Sequence, residues 1–292
     1  MRLISFQLEG EARLGVEVRG RVMPATELLD DGPGTMAELL ERGAAGLAEL
    51  RGKARSARTE DRGVALGDLT LLAPVPRPGK VVAIARNYSD HAAEEGSAPP
   101  AEPAIFSKWP TAVVGPGAEI RWDPELTSQV DYEAELAVVI GRLARRVSVA
   151  DALDYVLGYT CLNDVSARDL QFGDAQWMRG KSLDTFCPMG PAVVTADELA
   201  SPDGLAITCR VNGAFVQAAQ TSDMYFRVAE LISFCSRSFT LEPGDVIATG
   251  TPGGVGHNRK PPVYLTDGDV VVVAIEGIGE LVNTCRFERP GA

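Results

Sequence analysis

Polar and apolar residues alternate and then give way to an unbroken apolar run in the segment Asp131-Tyr132-Glu133-Ala134-Glu135-Leu136-Ala137-Val138-Val139-Ile140. A period of two predicts a β-strand, in which Glu133 and Glu135 point to the same side. Two carboxylates are costly to hold together beside such an apolar run, which favours a cation between them. The alternation also fits the solvated face of an amphipathic strand, so the pattern alone leaves both interpretations open.

Short apolar runs recur along residues 79–292 and predict a strand-rich region with few helices. The predicted strands are Val81–Ala85, Ala112–Val114, Glu133–Ile140, Ala192–Thr195, Ala206–Val211, Val246–Ala248, Val270–Ile275 and one around Leu281, and the predicted helices are Val149–Val156 and Ser222–Ser236. Because the strands do not alternate with helices, a doubly wound sheet is not the first choice of fold class, and an α+β arrangement is favoured.

Residues 1–75 follow a different pattern. Leu3 to Val22 predicts two or three short strands, and the apolar spacing from Met36 to Leu50 predicts a helix for which Thr35 is a suitable N-cap. The proline-rich stretch 74–79 then fixes an extended crossing. We therefore predict a small N-terminal α/β domain with its linker over residues 1–78, and a larger domain over residues 79–292.

A third carboxylate, Asp164, follows the strand in the stretch Cys161-Leu162-Asn163-Asp164-Val165-Ser166-Ala167-Arg168-Asp169. Three carboxylates without a neighbouring Cys or His suit a hard cation with oxygen ligands, so Mg²⁺ or Mn²⁺ fits better than zinc. The following run from Gln176 to Pro191 is too polar for a core and too aromatic for a plain linker. These features favour a functional site over a solvated strand face.

Several stretches occur in a specific order along the chain: residues 87–94, 106–108, 115–117, the carboxylate strand, 158–160 with 163–164, 176–191 and 241–256. Together they resemble the fumarylacetoacetate hydrolase family, in particular its shorter bacterial branch that acts on 2-oxo acids and β-dicarbonyl acids. The resemblance covers residues 80 to about 285. It implies a mixed β-sandwich roll for the larger domain and a homodimer built through that domain.

The resemblance also implies roles for individual residues. Glu133, Glu135 and Asp164 are expected to hold Mg²⁺ or Mn²⁺. The substrate's charge is expected to be bound by Arg168, Gln176 and Thr251. Lys181 is expected to act as an ammonium group that stabilises an oxyanion.

His91 and Glu94 lie three residues apart in a stretch, Tyr88 to Gly96, that predicts a short helix with both side chains on one face. A Glu that orients a His is a usual arrangement for a general base, although many such pairs are surface pairs. The resemblance favours the catalytic dyad, because the family's hydrolases carry His and Glu at the matching positions. Flanking glycine and prolines would let the segment act as a lid.

Three functions follow from these residues. The first choice is a hydrolase that cleaves a C–C bond of an acylpyruvate-like or fumarylpyruvate-like acid, where Glu94 holds His91, His91 deprotonates water, and a metal-stabilised enolate is released. The alternative is decarboxylation or isomerisation of an oxaloacetate-like or 2-hydroxyhepta-2,4-diene-1,7-dioate-like acid, which needs no attacking water. The last is a metal-containing binding protein without catalysis, which would not need His91 or Lys181.

Composition limits the partners. A net charge of −12 and a pI near 4.8 argue against a nucleic-acid or anionic-membrane surface, so an anionic substrate must be attracted locally. The resemblance implies that this substrate is a small anionic 2-oxo acid. No apolar stretch is long enough to span a bilayer, and no signal-peptide pattern is evident, so we expect a cytoplasmic protein. The five scattered cysteines favour reduced core thiols. The run Thr249 to Gly256 lacks the Lys-Ser/Thr ending of a phosphate-binding loop.

Overall fold

The computed structural model describes residues 1–57, 63–94, 96, 98–199 and 201–288. The strands are β1 (Arg2–Leu8), β2 (Glu11–Val18), β3 (Arg21–Pro24), β4 (Val64–Ala65), β5 (Thr70–Leu71), β6 (Val81–Ala85), β7 (Ala104–Lys108), β8 (Val113–Val114), β9 (Glu119–Trp122), β10 (Val130–Asp131), β11 (Ala134–Ile140), β12 (Val156–Asn163), β13 (Ser166–Ala167), β14 (Cys187–Thr195), β15 (Ala206–Val211), β16 (Ala214–Gln220), β17 (Val246–Ala248), β18 (Val270–Ile275) and β19 (Gly279–Phe287). The helices are α1 (Ala25–Leu28), α2 (Met36–Ser56), α3 (Ser89–Glu94), α4 (Arg168–Gly173), α5 (Met178–Lys181) and α6 (Val228–Ser238).

A mixed sheet of 12 strands runs through the described part of the chain, in the order β4-β3-β2-β1-β14-β12-β11-β17-β6-β7, with β5 beside β1 and β8 beside β14. β12 and β17 both run antiparallel to β11, and β6 runs parallel to β17. The first residues of β11 therefore lie at the same end of the strands as the last residues of β12, β17 and β6. The candidate carboxylates are at this end of the sheet.

A second sheet, in the order β16-β15-β18-β19-β9, faces the large sheet. The core between the two sheets contains Leu136 and Val138 from β11 and Val271 and Val273 from β18. On the opposite face of the large sheet, Ala137 and Val139 pack in a second core that includes residues of α2. β11 is thus buried on both faces, which explains why its sequence becomes continuously apolar.

The N-terminal region joins the large sheet directly. β1 pairs with β14, with Arg2 opposite Val194 and Leu3 opposite Val193. The Thr35 side chain accepts a hydrogen bond from Glu38 N at the start of α2, which confirms the predicted N-cap, and Gly43 interrupts the helical dihedral angles within α2. The division into domains at residue 78 stays a prediction.

The strand-rich α+β fold with a small N-terminal part is confirmed. The helix predicted over Val149–Val156 is wrong, because only a 3-10 turn forms at Ala152–Tyr155 and β12 begins at Val156. The helix predicted from Ser222 begins later, at Val228, where the Glu230 side chain accepts from Arg227 N in a capping box. Among the described residues, no helix is long and apolar enough to cross a membrane.

Candidate metal and active site

Three buried carboxylates lie close together at the end of the large sheet where β11 begins. Glu133, Glu135 and Asp164 each offer an oxygen, and these oxygens lie within 4.8 Å of one another. The pairing of β11 with β12 brings them together, since Ala134 lies opposite Asn163 and Asp164 N donates to Glu133 O at 2.9 Å. The arrangement agrees with the predicted triad of metal ligands, and the expected common orientation of Glu133 and Glu135 is compatible with it.

Glu133 forms ion pairs with two buried cations, Lys181 and Arg168. Lys181 Nζ lies 2.9 Å from its Oε2, and Arg168 Nη1 lies 2.7 Å from its Oε1. Burial raises the pKa of Glu133, but the charges of Lys181 and Arg168 outweigh this effect and lower that pKa to about 2. Glu133 is therefore ionised across the ordinary pH range.

The pKa of Glu135 shifts in the opposite direction to that of Glu133. Only 1% of the residue is exposed, and its Oε2 accepts a hydrogen bond of 2.8 Å from Gly250 N. Burial raises the pKa of Glu135, and the negative charges of Asp164 and Glu133 raise it further, well above its ordinary value. The charge of Lys181 lowers this pKa by less than burial and the two carboxylates raise it, and no ion pair to Glu135 is found among the described residues, so a divalent cation would supply the compensating charge.

Two lysines reach Asp164 from different elements. Lys181, at the end of α5, lies 2.9 Å from Asp164 Oδ2, and Lys108, at the end of β7, lies 2.5 Å from Asp164 Oδ1. Lys108 also donates to the carbonyls of Val165 and Lys181. Burial lowers the pKa of Lys181, but the charges of Asp164 and Glu133 raise it above its ordinary value, so Lys181 is an ammonium group.

Asp131 anchors Arg168 beneath the site. Arg168 Nε donates to Asp131 Oδ2 at 2.9 Å, and Arg168 Nη1 donates to Gln171 Oε1 at 3.0 Å. The backbone N–H groups of Gly256 and His257 also donate to the Asp131 carboxylate, at 2.8 and 2.9 Å. Asp131 therefore fixes both the guanidinium group and the glycine-containing turn.

Three of these groups, Glu133, Arg168 and Lys181, line the floor of a pocket. Its charged and titratable lining residues are Arg86, His91, Glu133, Arg168 and Lys181, and its aromatic ones are Phe106, Phe172 and Trp177. The first group contains mostly buried side chains, whereas Phe172 is 50% exposed and Arg86 is exposed. The pocket thus has a charged, buried floor and an aromatic mouth with one arginine.

Residues 80–286 match the model of the fumarylacetoacetate hydrolase C-terminal domain, which is well over half of the chain. The chain belongs to the fumarylacetoacetate hydrolase family.

Named relatives within the family carry more than one activity. The chain is 50% identical over 218 residues to the mitochondrial oxaloacetate tautomerase FAHD2B of Bos taurus, covering 74% of this chain and 69% of the relative. It is 48% identical over 222 residues to the oxaloacetate tautomerase YisK of Bacillus subtilis, covering 75% and 74%. The solved fumarylacetoacetate hydrolase of Exiguobacterium antarcticum superposes with a TM-score of 0.87 at 42% identity, covering 99% and 100%.

The predicted dyad lies on α3. His91 is buried and lines the pocket, while Glu94 accepts two hydrogen bonds from Gly254 N. No hydrogen bond between His91 and Glu94 is recorded in the described chain, so the hydrolase-type dyad stays a prediction.

The residues that were predicted to contact the substrate do not all line the pocket. Thr251 lines the pocket, but its hydroxyl donates to Ala134 O at 3.0 Å and accepts from Gln217 Nε2 at 2.8 Å. Gln176 is exposed and does not line the pocket, whereas Gln171 is buried, lines it and binds Arg168. The sequence analysis selected Gln176 because it lies in the motif-dense run. Gln171 lies three residues after Arg168 on α4, a helical spacing that the analysis did not use.

The sequence analysis also assigned no role to Lys108, Asp131 and Arg86. Lys108 belongs to a family-like stretch, but nothing in its local sequence indicates that its side chain is buried against Asp164. Asp131 could have been found as a further acid in the alternating segment. The five cysteines are free and buried as expected, and burial raises the pKa of Cys161 and of Cys187 to about 12, which disfavours a nucleophilic role.

The residues fit the divalent cation that the family implies. The site and its surroundings contain four buried carboxylates, Asp131, Glu133, Glu135 and Asp164, against the three buried cations Lys108, Arg168 and Lys181. With all seven groups ionised, this cluster carries one negative charge in excess. Glu133, Glu135 and Asp164 would hold an Mg²⁺ or Mn²⁺ ion, because an all-oxygen donor set is the one these ions prefer.

Proposed function

We propose that the protein is a divalent-metal-dependent tautomerase that interconverts the keto and enol forms of a small 2-oxo dicarboxylic acid of the oxaloacetate type. This proposal ranks the isomerase alternative of the sequence analysis above C–C bond hydrolysis. Two curated relatives at 48–50% identity carry oxaloacetate tautomerase names, which supports the substrate class. Membership of a family whose named members are enzymes supports catalysis over a purely structural metal-binding role.

The observation that carries the proposal is the position of Glu94. Hydrolysis requires a base that activates water, and that base is His91 oriented by Glu94. The Glu94 carboxylate instead accepts both of its recorded hydrogen bonds from Gly254 N. Tautomerisation needs only a proton carrier next to the substrate carbon, and His91 in the pocket wall meets this requirement without Glu94.

The buried cations supply the rest of the chemistry. A divalent cation bound by the triad would act as a Lewis acid for the 2-oxo carboxylate. The Lys181 ammonium group, 2.9 Å from both Glu133 and Asp164, donates hydrogen bonds where negative charge develops on the 2-oxygen. His91 removes the proton from C3, and a proton is delivered to the 2-oxygen, so that one C–H bond breaks, one O–H bond forms, and the double bond moves from C2=O to C2=C3.

C–C bond hydrolysis is the second candidate. The solved relative from Exiguobacterium antarcticum, which matches nearly the whole chain, is named a fumarylacetoacetate hydrolase. That activity would need a rotation of Glu94 away from Gly254 towards His91. The two candidates therefore differ in what they require from one side chain.

A single assay separates the candidates. Freshly dissolved oxaloacetate is followed by the ultraviolet absorbance of its enol, with Mg²⁺, with Mn²⁺ and with chelator, while pyruvate and CO₂ are measured in the same samples. An acylpyruvate is tested in parallel. Metal-dependent acceleration of the enol–keto exchange without pyruvate supports the tautomerase. Release of pyruvate from the acylpyruvate at a comparable rate, with no effect on the exchange, would replace it with the hydrolase.

A further inference from the structure

Lys108 is a buried lysine that the proposed reaction does not use. Its Nζ lies 2.5 Å from Asp164 Oδ1 and donates to Val165 O at 3.1 Å, and it also donates to Lys181 O. An ammonium group has three N–H donors, so these three contacts use all of them. The side chain is 0% exposed. Lys108 is therefore held in one position against Asp164 and cannot turn away without leaving a buried group unpaired.

Each carboxylate of the triad has one oxygen that a donor of the protein already engages. The pairs are Asp164 Oδ1 with Lys108 at 2.5 Å, Glu135 Oε2 with Gly250 N at 2.8 Å and Glu133 Oε1 with Arg168 Nη1 at 2.7 Å. All three donors are fixed in place. The donor at Gly250 belongs to the backbone, and Arg168 is itself bound by Asp131 through Nε at 2.9 Å.

The other oxygens of two of these carboxylates lie close to one point. Lys181 Nζ is 2.9 Å from Glu133 Oε2 and 2.9 Å from Asp164 Oδ2. Because one oxygen from each member of the triad lies within 4.8 Å of the others, a single cation can reach all three carboxylates. Such a cation would bind one oxygen of each carboxylate, while the second oxygen stays with its donor.

Binding through one oxygen suits a small cation better than a large one. Mg²⁺ requires octahedral ligands at about 2.0–2.1 Å, whereas Ca²⁺ takes about six to eight oxygens at longer distances and often binds both oxygens of a carboxylate. To gain a second oxygen at Asp164, Ca²⁺ would have to break a charge-assisted hydrogen bond and approach the positive charge of Lys108. The donors therefore make the second oxygens costly, and Ca²⁺ loses more than Mg²⁺.

We propose that Lys108 is a positioning residue that keeps Asp164 a one-oxygen ligand and thereby makes the site select Mg²⁺ over Ca²⁺. This inference rests on the divalent-metal part of the proposed function and is independent of which reaction is catalysed. Lys108 is the donor to change, because Gly250 N belongs to the backbone and Arg168 also contacts Asp131. Without Lys108, Asp164 Oδ1 becomes available to the cation.

The test measures Mg²⁺ and Ca²⁺ affinities by calorimetry for the wild type and for Lys108→Met, which has a side chain of similar length without charge or donors. We expect the wild type to bind Mg²⁺ about tenfold or more tightly than Ca²⁺. In Lys108→Met the affinity for Ca²⁺ should rise about tenfold relative to that for Mg²⁺. The ratio is the measured quantity because the loss of a neighbouring positive charge favours both ions, which carry the same charge.

Lys80 provides a matched control for charge. It lies directly before β6, and its Nζ is 2.5 Å from Asp245 Oδ2, which is another buried carboxylate but lies outside the triad. Lys80→Met therefore makes the same change of charge beside a buried aspartate, and it should leave the ratio of the two affinities unchanged. Equal shifts of the ratio in Lys80→Met and Lys108→Met would overturn the proposal, because they would show a general electrostatic effect.

Infrared spectroscopy gives a second, direct measurement. The separation between the antisymmetric and symmetric stretches of a carboxylate is smaller when both oxygens bind one cation than when a single oxygen does. Difference spectra between metal-free and metal-loaded protein should show this smaller separation for Lys108→Met with Ca²⁺. The wild type with either ion should lack it. Appearance of the same component in the Ca²⁺-loaded wild type would contradict the assigned role of Lys108.

A second variant covers the case in which Lys108→Met does not fold. Lys108→Gln keeps an amide donor for the buried acceptors but carries no charge, and it should shift the ratio towards Ca²⁺ by a smaller factor. An unchanged ratio in every folded Lys108 variant, or a wild type that binds Ca²⁺ as tightly as Mg²⁺, would end the role of Lys108 alone. A wild type that binds neither Mg²⁺ nor Mn²⁺ would also end the metal dependence of the proposed function.

Discussion

The backbone N–H of Gly254 donates to both carboxylate oxygens of Glu94, at 2.9 and 3.0 Å. A Cβ at the neighbouring Gly253 would lie 3.1 Å from Glu94 Oε1, so a larger residue there would crowd the Glu94 carboxylate. The contact ties α3 to the turn after β17. It therefore holds His91, which belongs to the same short helix, in the pocket wall.

Replacement of Glu94 by Gln should be mild under the tautomerase proposal. The amide oxygen still accepts from Gly254 N, so α3 stays in place and we expect kcat for enol–keto exchange to fall by less than about threefold. Glu94→Ala, which removes the contact, should mainly raise KM. Steady-state kinetics measure both. A loss of about 10²- to 10⁴-fold in Glu94→Gln would instead show that Glu94 supports a general base, as hydrolysis requires.

Replacement of His91 by Ala should remove the proton carrier. We expect kcat to fall by about 10²- to 10⁴-fold, the usual range for a lost general base, with unchanged metal affinity because no ligand has changed. The chain's other histidine provides a matched control. His257 bonds Tyr264 through Nδ1 at 2.9 Å and does not line the pocket, so His257→Ala should keep most of the activity. Similar activities of the two variants would contradict the assigned role of His91.

The two glutamates of the triad should differ when the metal is absent. Glu133→Gln removes one of the two carboxylates that Lys181 and Arg168 each contact in the buried site, which should cost about 3–5 kcal/mol of unfolding free energy. Glu135→Gln removes a group whose charge Asp164 and Glu133 oppose, so stability should stay equal or rise. Denaturant unfolding in chelator measures both. A large loss of stability in Glu135→Gln would show that Glu135 has a cationic partner in the metal-free protein.

Metal binding should stabilise the wild type and fail in all three amide variants of the triad. At a metal concentration of 100 times Kd, linkage adds about 2.7 kcal/mol to the unfolding free energy. Thermal unfolding with Mg²⁺, with Mn²⁺ and with chelator measures this gain, and calorimetry gives the affinity directly. Glu119→Gln, at a partly exposed side chain of β9 that pairs with Arg121 and Arg286 outside the site, is the control. Equal stabilisation of Glu133→Gln, Glu135→Gln, Asp164→Asn and the wild type would place the metal elsewhere.

The expected homodimer is a separate prediction. Edge strands and exposed apolar side chains, such as Ile105 in the edge strand β7 and Trp109 directly after it, are surfaces that pairing of two copies would cover. Sedimentation at micromolar concentration should give about twice the 31.0 kDa of one chain. A mass near that of a single chain would contradict the prediction.

The sequence predicted those features that depend on local periodicity. β6, β15, β17 and β18 lie where apolar runs indicated them, and the alternation around Glu133 and Glu135 led to the carboxylate cluster. β12 was not predicted, because it is buried throughout and lacks alternation. It also contains Gly158, where a Cβ would lie 2.2 Å from Val194 O, so this glycine is required by a neighbouring strand that is distant in sequence.

The sequence likewise predicted one part of the site and not the rest. The three carboxylates share one chemical type and a short sequence range, which makes them visible without a structure. Lys108 and Arg86 contribute through side chains that meet the other groups only after β6, β7 and β11 assemble. Gln171 and Gln176 are equally polar in sequence, and the structure distinguishes them by burial and by the contact of Gln171 with Arg168. Periodicity and residue type therefore locate the floor of the pocket, whereas its mouth depends on tertiary packing.

The pairing of β1 with β14 has a practical consequence for protein production. A polypeptide that began at residue 80, where the family match starts, would lose the strand that covers β14 and also part of the apolar layer around Leu3 and Leu14. An uncovered edge in a large sheet is a template for intermolecular pairing. Such a fragment would be prone to aggregate during expression although it carries every proposed metal ligand. The N-terminal residues thus act as a built-in solubility element for the catalytic part.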